Sequence, residues 1–376
     1  MADQHSGPTP GDARPVDEQL ADLRVRIDDV DQQVLTLLNQ RAQLAQAVGE
    51  VKKIDASPVF RPDREAQVID GIKARNQGPL LNDSLAPIWR EIMSACRALE
   101  TRIRVAFLGP LGTFSEQATL NYFGSSIEAV PCPSVDEVFR ATEAGSVHFG
   151  VVPVENSTEG VVARSLDLLL HSQAGIVGET SLLVTHNLLR ETPQLEGIET
   201  VCAHPQALAQ CQQWLSQHLP GAERTPVSSN AEAARMAAAD PRIAALASTR
   251  AASHYGLHVL APAVQDEAHN RTRFVIIAAK AQHVPAAPTG HDCTSLIVSV
   301  DNRPGAVHDL LTPLKTHGVS MTRFESRPAR SGQWEYFFYM DLVGHPAQAH
   351  VAAALDELRG QCLFFKVLGT YPVDVH

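Results

Sequence analysis

What the chain lacks narrows its class first. Its 376 residues contain no apolar run of about 18, the length a membrane-spanning helix requires. The opening stretch MADQHSGPTPGDARPV has neither the basic start nor the apolar core of a secretory signal, so a disordered tail (1–16) on a cytoplasmic protein is expected. Cys96, Cys132, Cys202, Cys211, Cys293 and Cys362 form no C-x-x-C pair and no zinc-like spacing, which argues against a disulfide framework and a structural metal. Basic residues are outnumbered 31 to 42, for a net charge of −11, and are interspersed with acidic ones. That balance excludes the basic face that nucleic acid or an anionic membrane would need. No spacing suggests a Ser/His/Asp triad.

What is present falls into three textures. From Asp17 to Lys53 there is no proline, and Leu20, Leu23, Ile27, Val30, Val34, Leu37, Leu44, Val48 and Val51 recur at alternating threes and fours. This predicts one helix of roughly 55 Å, too long for its own short neighbours to bury, so a second copy of the chain is the natural partner. Arg41 interrupts the stripe, and Lys52, eleven residues on, falls on almost the same face. FRPDREAQVIDGIKAR (60–75) and DSLAPIWREIMSACRALE (83–100) read as further helices, making the segment 17–101 all-α.

After Thr101, short β-branched runs alternate with helical ones, the pattern of an α/β domain over 102–281. Strands are predicted at 103–108, 147–152, 176–184, 200–203, 243–246 and 274–278. Thr113 with Glu116 makes a capping box, and Ser229 or Asn230 opens another helix, so the polar junctions are helix starts facing strand ends, where anions bind. A Pro/Ala/Gly-rich linker (282–292) leads to a strand-helix-strand-strand-helix-strand order over 293–376, an α+β ferredoxin-like module. In HNRTRFVII (269–277) two arginines abut an apolar strand. Side chains alternate along a strand, so Thr272 and Arg273 should face opposite ways.

The motifs GPLGTFSEQA (109–118), VPVENSTEG (152–160), HPQ (204–206) and NRTRF (270–274), in that order, resemble the prephenate dehydratase family. The helical segment is similar to the all-helical type of chorismate mutase, with Arg24, Arg41, Lys52, Arg64 and Glu65 at matching spacings. RPGAVHDLL (303–311) and ESRP (325–328) resemble an ACT regulatory domain. The combination implies a bifunctional chorismate mutase/prephenate dehydratase of phenylalanine biosynthesis. It also implies a two-lobed, periplasmic-binding-protein-like dehydratase, chorismate and prephenate as substrates, and phenylalanine as inhibitor.

Chorismate rearranges pericyclically, which calls for positioning and charge rather than a nucleophile or cofactor. An isolated helical cation is usually only a solvated charge; five at the family spacing point to a site. The resemblance implies that Arg24 reaches a second subunit's site, Arg41 and Arg64 hold carboxylates, Lys52 donates to the ether oxygen and Glu65 takes a hydroxyl. Arg61 stands where relatives carry aspartate, and Glu100 where some carry glutamine. An ionised Glu100 would repel the developing oxyanion, so it should act protonated, with mutase turnover falling as pH rises and Glu100→Gln removing that fall.

Prephenate loses carbon dioxide and its ring hydroxyl. The resemblance places the essential threonine at Thr272, beside the leaving hydroxyl, with Glu155 as a proton source if it is buried and Asn156 and Gln206 as substrate-holding amides. Thr113, Ser115, Ser229 and Asn230 would offer helix-start donors to carboxylates. Asn270 is expected to be a loop anchor, Arg273 structural, His204 a cap neighbour, and His186 and His254 structural or at the surface. In the regulatory module, Gly305, Ala306, Val307, Glu325, Ser326 and Arg327 would hold phenylalanine, with His308 departing from the family's aliphatic residue.

Overall fold

The computed structural model describes residues 15–55, 60–279, 287–329 and 336–373. Nearly all of the expected tail and the linker's first five residues lie outside them.

Residues up to Ser57 and those from Pro58 on form two compact bodies. In the first, the proline-free stretch is one 40-residue helix, α1 (Val16–Asp55), and every member of its predicted apolar stripe is exposed. In the second body, α2 (Pro62–Arg75) begins with proline at its first turn, where no backbone N–H is missed, and α3 (Asn82–Ala98) packs against it.

These two helices share a core with the α/β segment. Phe60 is buried among Phe107, Phe123 and Phe149, and Arg97 donates to Phe123 O at 2.7 Å with its guanidinium 4.8 Å from the Phe60 ring centre. Removing residues 1–101 would therefore cut into the dehydratase core, whereas removing residues 1–57 would not touch these contacts. Phe60→Ala alone should cost about 3–5 kcal/mol through the cavity it leaves. Accordingly, a chain trimmed of residues 1–101 should unfold at a lower temperature than one trimmed of residues 1–57, a difference readable by calorimetry.

Arg61 also finds its explanation here. Its guanidinium makes a two-pronged pair with buried Asp63 (3.0 and 2.6 Å), and Asp63 Oδ2 accepts from Ala287 N at 3.0 Å. Burial alone would push the Asp63 carboxyl up, but these bonds hold it below the usual range. A depressed folded value means stability that is present above the ordinary carboxylate range and lost as pH falls through the folded value. Asp63→Asn should flatten that acid limb of the unfolding profile.

The first α/β lobe comprises β1 (Arg104–Leu108), α4 (Phe114–Phe123), β2 (Glu128–Cys132), α5 (Val135–Glu143), β3 (Phe149–Asn156), β4 (Gly160–Val161), α6 (Ala163–His171) and β5 (Gly175–Leu183). The second comprises β6 (Asn187–Arg190), β7 (Thr200–Ala203), α7 (Pro205–Gln210), α8 (Gln212–His218), β8 (Glu223–Pro226), α9 (Asn230–Ala239), β9 (Ile243–Ala247), α10 (Thr249–Tyr255) and β10 (His258–Ala261). The chain then returns to the first lobe as β11 (Arg271–Ala278), giving sheet orders β2-β1-β3-β11-β5 and β10-β6-β9-β7-β8. This return lays Thr272 beside Asn156 and Arg273 beside Glu155.

The C-terminal module runs β12 (Asp292–Ser299), α11 (Ala306–His317), β13 (Met321–Pro328), β14 (Tyr336–Val343), α12 (Ala349–Gln361) and β15 (Phe364–Pro372), in sheet order β13-β14-β12-β15. One face of its sheet, through Ile297, Tyr339, Leu368 and Tyr371, joins Leu166, Ile176, Val275 and Ile277 of the first lobe in a single core.

Candidate active site

A cleft of about 400 Å³ opens between the two lobes. Apart from two histidines its lining carries no ionisable side chain. Its positive character comes from helix starts. Thr113 caps α4 by accepting from Glu116 N (3.3 Å), and Ser229 caps α9 by accepting from Glu232 N (3.0 Å). Both caps line the cleft, as do Ser115 and Asn230, so the unsatisfied N–H groups of two ten-residue helices face it. Such an opening suits a polyanion held by neutral donors.

The capping box is shifted by one residue. Glu116 Oε2 accepts from Gly112 N at 2.5 Å, while Oε1 pairs with Arg250 of α10 at 2.7 Å. Ser248 Oγ donates to Gly112 O at 3.0 Å, so the lobes are tied at the cleft's floor. Gly112 has a φ of 86°, and a Cβ there would lie 3.3 Å from Ala251 Cα. Asn230 Oδ1 accepts from His204 N at 2.8 Å, and His204 Nδ1 caps α7 by accepting from Gln206 N, which confirms it as a cap.

At the opposite wall, β3 and β11 present Asn156 and Thr272. Asn156 Nδ2 donates to Thr272 Oγ1 at 2.9 Å and to Asn270 Oδ1 at 2.8 Å, while its Oδ1 accepts from Thr158 N and Glu159 N, both at 3.0 Å. An asparagine side chain offers two hydrogens and two lone pairs, so Asn156 is saturated. Its amide lines the cleft but is committed to Thr272, Asn270 and two backbone N–H groups, where the expectation had it free to hold the substrate. Gln206 does line the cleft.

Glu155 is also corrected. Strand alternation turns it away from Asn156, and its carboxylate, 40% exposed, meets Arg323 of β13 at 3.3 Å and Arg273 at 4.0 Å. It is absent from the cleft lining, held instead in this ion-pair cluster. Arg273 faces the same way, as expected, bonded to Glu179 and Asp341.

Sequence reasoning missed His186 and Gln210. His186 lines the cleft, is 3% exposed, and shares a 3.0 Å bond through Nε2 with Gln210 Oε1, while its ring meets Phe114 edge-on. The available signal was the polar Thr-His-Asn triplet between two apolar runs in LLVTHNLL (182–189). Burial lowers the His186 pKa, partly offset by the Gln210 bond. Stability from this neutral ring is complete above the ordinary histidine value and lost as pH falls toward the depressed one. His186→Gln should make unfolding less sensitive to acid as pH falls below about 6.5.

The expected mutase residues divide between the two bodies. Arg24, Arg41 and Lys52 are on α1, Arg64 and Glu65 on α2, and Glu100 in the turn after α3. Glu65, the expected hydroxyl partner, is ion-paired to buried Arg97. In the C-terminal module Gly305, with a φ of 81°, precedes Ala306 and Val307 at the start of α11, and Glu325, Ser326 and Arg327 end β13. Arg327 is paired with Asp167 of α6 at 2.9 Å, so its charge is turned to the dehydratase lobe rather than held for an amino acid.

A helical segment, a two-lobed α/β unit with an anion-receptive cleft and a ferredoxin-like module define a multidomain enzyme of regulated anion chemistry. Comparison with known proteins makes this specific. Residues 23–101 match chorismate mutase type II, 105–282 prephenate dehydratase and 294–360 the ACT domain. A bifunctional chorismate mutase/prephenate dehydratase of Stutzerimonas stutzeri is 47% identical over 94% of this chain and 98% of its own. The chain belongs to the bifunctional chorismate mutase/prephenate dehydratase family. A solved prephenate dehydratase from Arthrobacter aurescens, in complex with L-Phe, superposes with a TM-score of 0.66 at 32% identity, over 73% of this chain and 93% of that one. A solved protein described as a novel type of quorum quenching acylase, GqqA, matches with a TM-score of 0.67 at 31% identity, over 72% of this chain and 98% of that one.

Proposed function

We propose that this enzyme rearranges chorismate to prephenate and converts prephenate to phenylpyruvate, under feedback by phenylalanine. The observation that carries the second step is Thr272, whose oxygen accepts from a saturated Asn156 and whose hydrogen is thereby left to donate into a cleft lined by no lysine or arginine. Helix starts at Thr113/Ser115 and Ser229/Asn230, with Gln206, hold the substrate's polar groups. As carbon dioxide leaves, its bonding electrons pass into the ring and the C–O bond breaks. Hydroxide departs on the Thr272 hydrogen bond and takes a proton from the medium. A lining without lysine or arginine suits this step, because a carboxylate tied to a fixed cation would be slower to give up its charge.

Arg24, Arg41, Lys52 and Arg64 supply the cations for the mutase step, with Glu100 as a further hydrogen-bonding partner of the substrate. The exposed apolar stripe of α1 supports a homodimer or larger assembly, which sedimentation of the full chain would reveal. Gly305, Ala306, Val307, Glu325 and Ser326 take phenylalanine, with Arg327 acting through Asp167. No helix among the described residues is long and apolar enough to cross a membrane, and we assign the enzyme to the cytoplasm. Purified protein given chorismate should form phenylpyruvate, less so with phenylalanine. Accumulated prephenate would refute the dehydratase assignment, and persisting chorismate the mutase assignment.

A further inference from the structure

The hydrogen bonds around Thr272 have a direction that can be read without placing a single proton by assumption. Backbone N–H groups can only donate, so Thr158 N and Glu159 N fix the oxygen of the Asn156 amide. Its nitrogen must then donate, both to Thr272 Oγ1 and to Asn270 Oδ1. With its oxygen accepting, Asn270 turns its nitrogen to Gln210 Oε1 at 3.1 Å. Gln210 Oε1 is therefore an acceptor for its other neighbour also, and His186 Nε2, 3.0 Å away, must carry the hydrogen. Two ends remain, both buried with no partner among the described residues: His186 Nδ1, as a bare lone pair can be, and Gln210 Nε2, a donor on a residue that lines the cleft.

We propose that Asn270, Gln210 and His186 are positioning residues of the dehydratase: a one-way relay, anchored on the Thr158 and Glu159 amides and closed by the Nε2–H tautomer of His186, that keeps Thr272 an acceptor toward the protein and a donor toward the substrate. The inference rests on the reading of Thr272 as the donor to the leaving hydroxyl. The alternative tautomer would set the Nε2 lone pair against the Gln210 oxygen. Relieving that clash by turning the Gln210 amide would bring its nitrogen against the Asn270 nitrogen, and the reversal would run back to Asn156, where the backbone forbids it. Reversal at Asn156 would place a carbonyl against Thr272 and draw the threonine hydrogen away from the cleft.

Glutamine can place an amide nitrogen where the imidazole has Nε2, whereas asparagine matches Nδ1 and falls short of Gln210. With prephenate as substrate, His186→Gln should keep kcat within about 3-fold of wild type. His186→Asn and Gln210→Leu should lower it by about 10- to 100-fold with KM little changed, the signature of a misaligned group rather than lost binding. Asn270→Asp, which still accepts from Asn156 but cannot donate to Gln210, should fall with the second group. The tautomer is read independently from ¹⁵N-histidine spectra of the full chain, in which the signal lost in His186→Gln should show a protonated Nε2 and a bare Nδ1 at neutral pH. A protonated Nδ1, equal kcat for the Gln and Asn variants, or losses confined to KM would overturn the relay. Should Gln210→Leu unfold, Asn270→Asp and the spectra still decide. If the spectra and relay variants behave as stated but Thr272→Ala keeps full kcat, the reading of Thr272 fails and not the relay's geometry.

Discussion

Thr272→Ala is expected to lower dehydratase kcat by about 10²- to 10³-fold, the usual loss when one donor to a developing oxyanion is removed. The change should fall on kcat, because the hydroxyl's hydrogen bond strengthens only as the C–O bond breaks and negative charge gathers on the leaving oxygen. Thr272→Ser keeps Oγ within reach of Asn156 Nδ2, now 2.9 Å away, and should retain most of the turnover. Following phenylpyruvate from prephenate, and prephenate from chorismate on the same samples, checks both parts. Mutase turnover should stay level, since Thr272 lies on β11 in the dehydratase lobe. A Thr272→Ala enzyme with wild-type kcat would sink the assignment.

One residue along, the expected effect is on stability. Arg273 bonds Glu179 Oε2 through Nε at 2.9 Å and Asp341 Oδ2 through Nη1 at 2.6 Å, and Asp341 also accepts from Ser295 Oγ. Asp341 belongs to the regulatory module and is 4% exposed, so one guanidinium neutralises carboxylates from both sides of the interface. Despite burial, these charges hold the Arg273 pKa well above its ordinary value. Arg273→Leu would leave the carboxylates facing each other without a counter-ion, which should cost about 3–5 kcal/mol. The variant should recover stability on acidification, because protonation removes the uncompensated charge. Adding Glu179→Gln and Asp341→Asn should restore much of the loss at neutral pH, and urea titrations of the single and triple variants would show it. If the single variant unfolds like wild type at neutral pH, the cluster has no such role.

How much was legible beforehand differs by element. In the first sheet β1 and β5 were predicted almost in place, whereas β3 and β11 extend beyond their predicted apolar stretches, through Glu155 and Asn156 and through Arg271 to Arg273, where polar residues hide the strand. The unpredicted β2, β8 and β10 are all sheet edges, and β2 and β8 contain Pro131 and Pro226, which an edge tolerates because one row of N–H groups needs no partner. β6 is interior but only four residues long, too short to show a period. Opposed facing of Thr272 and Arg273 was readable from alternation alone. The same rule, applied to Glu155 and Asn156, would have excluded Glu155 from the cleft.

The amino-acid sequence by itself determined the change of texture after Thr101, the family, the apolar run that Thr272 adjoins, and the apolar stripe of α1 that a single chain leaves exposed. These follow from local period, capping residues and motif order, all encoded over a few turns or strands. Only the tertiary structure decided that Phe60 and Arg97 belong to the dehydratase core, that Glu65 and Arg327 are committed to ion pairs, and that Asn156 is saturated. It alone joined Asn156 to Asn270, 114 positions apart, and brought His186 to Gln210. Hydrogen-bond direction and charge pairing depend on which atoms meet across the return of β11, and no local pattern specifies those meetings.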